Sequence, residues 1–166
     1  MKQLLLLLFF AVTVSYANAQ QFNNQKALSL GGEFGIPNYG LYNVALGASA
    51  KLELPVISPI SVSITAGFTS AFLKSNIIQN YNGGADLFAP LKAGVKYYFN
   101  QNVYLEGEGG MALELNRTQS HLAAFSIGPG FVIPSEKNGI DISFRYEDWQ
   151  GQLKQLAIRV GYRFGF

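Results

Sequence analysis

Apolar and polar residues alternate with a period of two along most of this chain. The alternation is strictest over residues 156–166, where Leu, Ile, Val, Tyr and Phe are interleaved with Ala, Arg and Gly. A period of two is typical of a β-strand with one apolar face and one polar or small face. Eight segments show the pattern and are predicted to be strands: 26–36, 42–54, 60–72, 87–99, 103–115, 121–133, 140–146 and 156–166.

Residues that favour turns separate these segments. Turns are predicted at Pro55 to Pro59, Asn100 to Asn102 and Pro134 to Gly139. The longest connection runs from Leu73 to Asp86 and is rich in Asn and Gly, and another predicted connection contains Trp149.

Two segments depart from regular alternation. Gly107, Gly109 and Gly110 loosen the fifth segment and predict a β-bulge or a register shift there. Pro129 removes a backbone N–H donor from the middle of the sixth segment, which counts against a strand at that position.

The face opposite the apolar residues distinguishes two kinds of eight-stranded barrel. A soluble barrel of the lipocalin type turns its apolar face inward, whereas a membrane barrel turns it outward to lipid. In this chain the opposite face carries mostly Gly, Ala, Ser and Thr with isolated charges, as a narrow, filled lumen requires. Strands of about ten residues, at about 3.3 Å each and tilted about 40°, also reach across the ~25 Å apolar band of a bilayer. The sequence therefore predicts an all-β, eight-stranded antiparallel transmembrane β-barrel with up-and-down topology.

Composition narrows the possible chemistry. The chain is 49% hydrophobic and 14% aromatic but only 13% charged. It has no cysteine, which excludes disulfides and thiolate metal sites, and its formal net charge of +2 is too small to indicate a nucleic acid partner.

The first residues have the features of a secretory signal peptide. Lys2 precedes an apolar run from Leu4 to Val12, and Ala17 and Ala19 form an A-x-A cleavage site. The run is shorter than the roughly 20 residues that a membrane-spanning helix needs. We expect a signal peptide over residues 1–19 and a single barrel domain over residues 20–166.

The end of the chain resembles the carboxy-terminal pattern of bacterial outer-membrane β-barrel proteins. Arg159, Gly161, Phe164 and Phe166 fit the order polar-x-Gly-x-x-apolar-x-apolar. In that class the barrel assembly machinery reads the pattern, so the resemblance implies that these four residues are an assembly signal and that the machinery is a partner during biogenesis.

Three further stretches resemble the small outer-membrane β-barrel domain that is common in Bacteroidetes. They are residues 30–54, 90–99 and 144–151, and the likeness covers essentially the whole chain after the signal peptide. The resemblance implies a Gram-negative outer-membrane protein with periplasmic termini and membrane lipid around it. It implies no enzymatic activity.

Charged residues on the small-residue face predict a lumen network. Acids and bases are close in number there, as a closed lumen requires, because a buried charge is costly unless it is paired. The predicted network contains the acids Glu33, Glu53, Glu106, Glu108, Glu114, Asp141 and Glu147 and the bases Lys51, Lys92, Lys96, Arg145, Arg159 and Arg163.

Candidate catalytic residues are sparse. His121 is the single histidine; Ser120 and Ser126 are near it in sequence, and Glu114 is a candidate acid to orient it. The lipid A deacylase barrels pair a His with a Ser two positions on, but that position here is Ala123. We therefore predict a rim histidine, with no catalytic residue, cofactor or metal site.

The sequence thus favours a monomeric outer-membrane barrel with a structural or surface-interaction role. Its partner, whose identity the sequence does not reveal, would bind through Leu73 to Asp86 or the connection at Trp149. Two alternatives remain open: a lipid-modifying outer-membrane enzyme and a narrow pore.

Overall fold

The computed structural model describes residues 25–39, 41–74, 84–116 and 120–166. The predicted signal peptide lies outside the described residues, and so do residues 75–83 of the longest connection. The described residues form eight strands: β1 Ala27–Tyr39, β2 Tyr42–Ile57, β3 Ile60–Leu73, β4 Ala85–Tyr98, β5 Val103–Glu114, β6 His121–Ser135, β7 Asn138–Trp149 and β8 Leu153–Gly165.

The strands form a closed barrel in which each strand pairs antiparallel with its neighbours in sequence. Strand β1 closes the barrel against β8, with Ala27 opposite Gly165. The backbone N–H of Phe166 extends this seam by donating to the carbonyl oxygen of Lys26 at 3.0 Å. The predicted eight-stranded, up-and-down fold is confirmed.

The two ends of the barrel differ in their connections. We call the end that holds residues 26 and 166 the termini end; its turns are at 58–59, 99–102 and 136–137. We call the opposite end the far end; its connections are at 40–41, 74–84, 115–120 and 150–152. No helix within the described ranges is long and apolar enough to cross a bilayer.

Two predicted turns are shorter than expected. Strand β2 continues through Pro55 to Ile57, and β6 continues through Pro134 to Ser135, so two-residue turns close both hairpins. Proline is tolerated at such positions because they lie at strand ends, where a missing N–H removes little of the ladder. The β2–β3 register shifts between Pro55 and Ile57.

The bulge that was expected in β5 is absent, so that prediction is wrong. The register of β5 is unbroken against β4 and against β6 across residues 107–110. Gly110 instead permits a close approach, because a Cβ at this position would collide with the carbonyl oxygen of Leu91.

Pro129 does not prevent β6 from forming, but it marks a gap on one side of the strand. Against β5 the pairing is continuous and includes Pro129 opposite Leu105. Against β7 no pairs form between Ile127–Tyr146 and Gly130–Ser143. The missing N–H of proline accounts for an interruption at this level.

Candidate functional site

The outer wall of the barrel is apolar over its whole circumference. Large hydrophobic side chains on every strand point outward and are roughly 40–60% exposed, for example Leu91 at 51% and Phe68 at 61%. A soluble barrel would place such side chains in its interior. The outward-facing set includes Leu30, Ile36, Leu46, Ile64, Phe68, Leu91, Val95, Leu105, Phe125, Ile127, Phe144, Ile158, Val160 and Tyr162.

The inner wall carries the charges, and the lumen is the candidate site. The structure places all of the predicted network residues on this face. Even the two least buried side chains, Glu33 and Arg163, are only 12% exposed. Each of these charges therefore needs a partner within the barrel.

Lys92 and Arg145 form the network near the middle of the lumen. The Lys92 ammonium lies 3.0 Å from Glu108 and 2.9 Å from Glu147. Arg145 contacts Glu147 at 3.1 Å and Glu33 at 2.7 Å. Gln155 completes the surroundings of Glu147 by donating to it at 2.7 Å. These contacts link β1, β4, β5, β7 and β8 across the lumen.

Lys51, on β2, joins the same group of charges through Glu108 and adds Glu106 to it. Its ammonium pairs with Glu106 and lies 3.2 Å from Glu108. Hydroxyl groups on β3 add hydrogen bonds to these carboxylates, since Ser63 donates to Glu106 at 2.7 Å and Thr65 donates to Glu108 at 2.6 Å.

Lys96 is the centre of a second group toward the termini end. Its side chain is fully buried, 3.0 Å from Glu53 and 3.4 Å from Asp141. The ammonium also lies 4.1 Å from the centre of the Tyr104 ring, a cation–π distance. Tyr98 donates to Glu53, and Tyr104 donates to Asp141. Arg163 approaches Glu53 at 3.4 Å.

Arg159 differs from the other bases in its partners. Its guanidinium donates to the hydroxyl groups of Ser49 at 2.9 Å and Ser29 at 3.0 Å. Its carboxylate neighbours are more distant, with Glu33 at 3.7 Å and Asp141 at 3.9 Å. Arg159 therefore lies between the two groups of charges, and its shortest contacts are with serine hydroxyls.

The sequence did not predict an apolar plug that closes the lumen at the far end. Its rings meet edge to face, with Phe88 5.4 Å from Trp149 and 6.3 Å from Tyr42. We call these residues the far-end plug: Tyr42, Ala45, Ala71, Leu73, Phe88, Ala112, Leu122, Ala124, Trp149 and Leu153.

The expectation that Trp149 belongs to an outward connection is wrong. Trp149 ends β7, pairs with Leu153 and is 1% exposed. Arg145, Glu147 and Trp149 are spaced two residues apart and all point inward. This spacing is the signal in the sequence that could have placed Trp149 inside the barrel. Asp86, read as the end of a long connection, is also inside the barrel, where it accepts a 2.7 Å hydrogen bond from Tyr42.

His121 does not meet the residues that could activate it. It begins β6 and is exposed on the outer side, whereas Ser126 and Glu114 are buried on the inner side. Ser126 is committed to the lumen network, where it donates to Glu108 at 2.9 Å. Among the described residues, no three His, Cys, Asp or Glu side chains are grouped to hold a metal ion.

The closed eight-stranded barrel, with its apolar outside and ionic inside, defines the class: the chain has the fold of the small transmembrane β-barrels. The solved structures that share this fold include Ail, the attachment invasion locus protein of Yersinia pestis. Its crystal structure aligns with a TM-score of 0.60 at 18% identity, over 85% of this chain and 99% of that one.

Two other structures give the same result. Ail in a phospholipid bilayer nanodisc aligns with a TM-score of 0.59 at 18% identity, over 87% of this chain and 100% of that chain. A de novo designed transmembrane β-barrel aligns with a TM-score of 0.52 at 12% identity, over 87% of this chain and 98% of that chain. No protein-family profile and no curated protein sequence matches this chain.

Proposed function

We propose that this protein is a monomeric outer-membrane β-barrel with a structural or surface-interaction role and no catalytic activity. The observation that carries the proposal is the reversed polarity of the barrel. Its outer wall is apolar, and its fully buried interior holds ion pairs such as Lys92–Glu147. Such a wall is stable against lipid and would aggregate in water.

The connections support one orientation in the membrane. Small outer-membrane barrels have short periplasmic turns and longer loops outside the cell. Here the turns of two to four residues lie at the termini end, and the longest connection lies at the far end. We therefore infer that both termini are periplasmic. The assembly signal Arg159, Gly161, Phe164 and Phe166 would then be presented to the assembly machinery from the periplasm, in a Gram-negative cell of the Bacteroidetes type.

We expect no ion conduction through the purified barrel. Eight strands leave an interior that side chains can fill, and aqueous channels appear at about 16 strands. Here the lumen holds the Lys92 and Lys96 groups and, above them, the far-end plug. Planar bilayer recordings of the heat-modifiable, folded protein should show no stable conductance steps. Reproducible, ion-selective steps that change in a Trp149→Ala variant would favour the narrow pore instead.

The surface-interaction role concerns the longest far-end connection. Ail, whose name describes attachment and invasion, shares the fold, and we propose that this chain contacts surface partners through this connection. Replacing residues 75–83 by a Gly-Ser linker of equal length should abolish capture of surface partners from intact native outer membranes. A Lys137→Ser variant, altered in an exposed turn at the termini end, serves as the control and should retain them. Equal capture by both variants would contradict a role for this connection.

A further inference from the structure

One groove in the outer wall differs from the surrounding apolar surface. It lies beside the interruption of the β6–β7 ladder and has a volume of about 350 Å³, within the range of about 300–1,000 Å³ typical of small-molecule sites. A second apolar groove, of about 330 Å³, shares Phe144 and continues over Ile36 and Leu156, but its lining does not reach the turns of the termini end. Its outward-facing lining is apolar. The side chains are those of Val103, Pro129, Phe131, Ile133 and Phe144.

The groove runs from the termini end of the barrel toward the middle of the outer wall. It begins at Asn102 and Pro134, next to the turns of the termini end, and it ends at Pro129 and Phe144 near the middle of the wall. From Pro134 to Pro129 the strand advances about 16 Å, or about 13 Å across a bilayer at a tilt of about 40°. This is about half of the ~25 Å apolar band, the depth that one leaflet contributes.

The ladder interruption makes the groove a fixed feature of the fold. Gly128, at the level of the interruption, is held so close to β7 that a Cβ would collide with the carbonyl oxygen of Phe144. Gly130 is similarly constrained from inside by the Tyr104 ring. Pro129, between them, contributes only a compact ring to the outer wall. These two close approaches fix the course of the β6 backbone beside the groove.

We propose that this groove binds one acyl chain of a phospholipid in the leaflet at the termini end. The inference rests on the membrane location proposed above. The groove is continuous with the apolar outer wall, it ends beside the turn at Asn102, and its length is about half of the ~25 Å apolar band. The lipid would be held as a long-lived ligand, in contrast to the exchanging lipids around the rest of the wall.

Filling the groove should remove this lipid. Folded barrel extracted in a mild detergent should retain a single phospholipid by native mass spectrometry. Val103→Trp, which places a large ring in the groove, should lose it. Val160→Trp makes the same change on the outer face of β8, at a position that does not line the groove, and should keep it. Ile133→Trp, at another groove position, replaces Val103→Trp if that variant does not fold.

The outcomes separate this inference from the proposed function. Heat-modifiable barrel in the outer membrane establishes the membrane location before lipid is measured. Given that result, the groove proposal is overturned if the wild type retains no phospholipid, if it retains lipopolysaccharide instead, or if Val103→Trp and Val160→Trp retain phospholipid equally. Absence of the barrel from the membrane would instead overturn the proposed function.

Discussion

Replacing Lys96 by methionine is expected to lower the free energy of unfolding of the barrel by about 3–5 kcal/mol. Methionine has a similar length and keeps the packing against Tyr104, so the change removes mainly the charge. It leaves Glu53 and Asp141, which lie 3.0 and 3.4 Å from the Lys96 ammonium in the wild type, with a reduced positive field. Denaturant unfolding of the protein refolded into lipid vesicles measures the loss.

A matched substitution isolates the effect of burial. Lys154 forms an ion pair with Asp148 at 3.2 Å, but the two side chains are 41% and 30% exposed. Exposed pairs contribute little because water and salt screen them. Lys154→Met should therefore leave the unfolding free energy within experimental error. Comparable losses in Lys96→Met and Lys154→Met would contradict a stabilising lumen network.

A second substitution tests whether the cost comes from uncompensated carboxylates. Adding Asp141→Asn to Lys96→Met removes one of the two negative charges that Lys96 had paired, and the amide oxygen can still accept a hydrogen bond from Tyr104. The double variant should recover part of the lost stability. No recovery would attribute the cost of Lys96→Met to lost packing.

The period of two, together with the small residues on the polar face, was sufficient to predict the fold and the face of each lumen charge. Successive side chains along a strand point to opposite faces of the sheet. In a closed barrel one face is the lumen and the other is the outer wall, so the odd or even position of a residue decides whether it points inward or outward. Lys51, Glu108 and Arg159 therefore lie inside as expected. Parity does not give the height of a residue in the barrel, which depends on the register between distant strands.

The specific partners depend on that register and could not be read from the sequence. Lys96 and Asp141, for example, belong to β4 and β7 and meet across the lumen. Arg159 was expected to pair with an acid, yet its shortest contacts are with serines that the sequence gave no reason to choose.

The far-end plug was missed for a different reason. Near the far end apolar residues occupy both faces, as in Leu87 and Phe88, so the contrast between faces disappears. The pattern around Trp149 therefore predicts a connection, although Trp149 has the same spacing as the inward-facing residues of β7. Glu147 faces the lumen, and a strand that continues for two more residues brings Trp149 to the same face.

The largest effect in cells is expected from the last two outward aromatic residues. Phe164 and Phe166 are 43% and 68% exposed on the outer wall, and Phe164 packs edge to face on Tyr162 at 4.7 Å. The seam bond from the N–H of Phe166 to Lys26 uses only backbone atoms. A Phe164→Ser/Phe166→Ser variant can therefore keep the barrel closure and lose only the side chains of the proposed assembly signal.

A control with an equal loss of apolar surface distinguishes recognition from lipid contact. Phe68 and Phe125 are 61% and 50% exposed on the outer wall, away from the carboxy terminus. Each buried Phe contributes about 1.5–3 kcal/mol, so both double variants should be destabilised to a similar degree in vesicles. In cells, Phe68→Ser/Phe125→Ser should still reach the outer membrane as heat-modifiable barrel. Phe164→Ser/Phe166→Ser should be exported but almost absent from that membrane, because both positions belong to the proposed assembly signal. Undiminished barrel from the latter variant would show that Phe164 and Phe166 are ordinary lipid contacts.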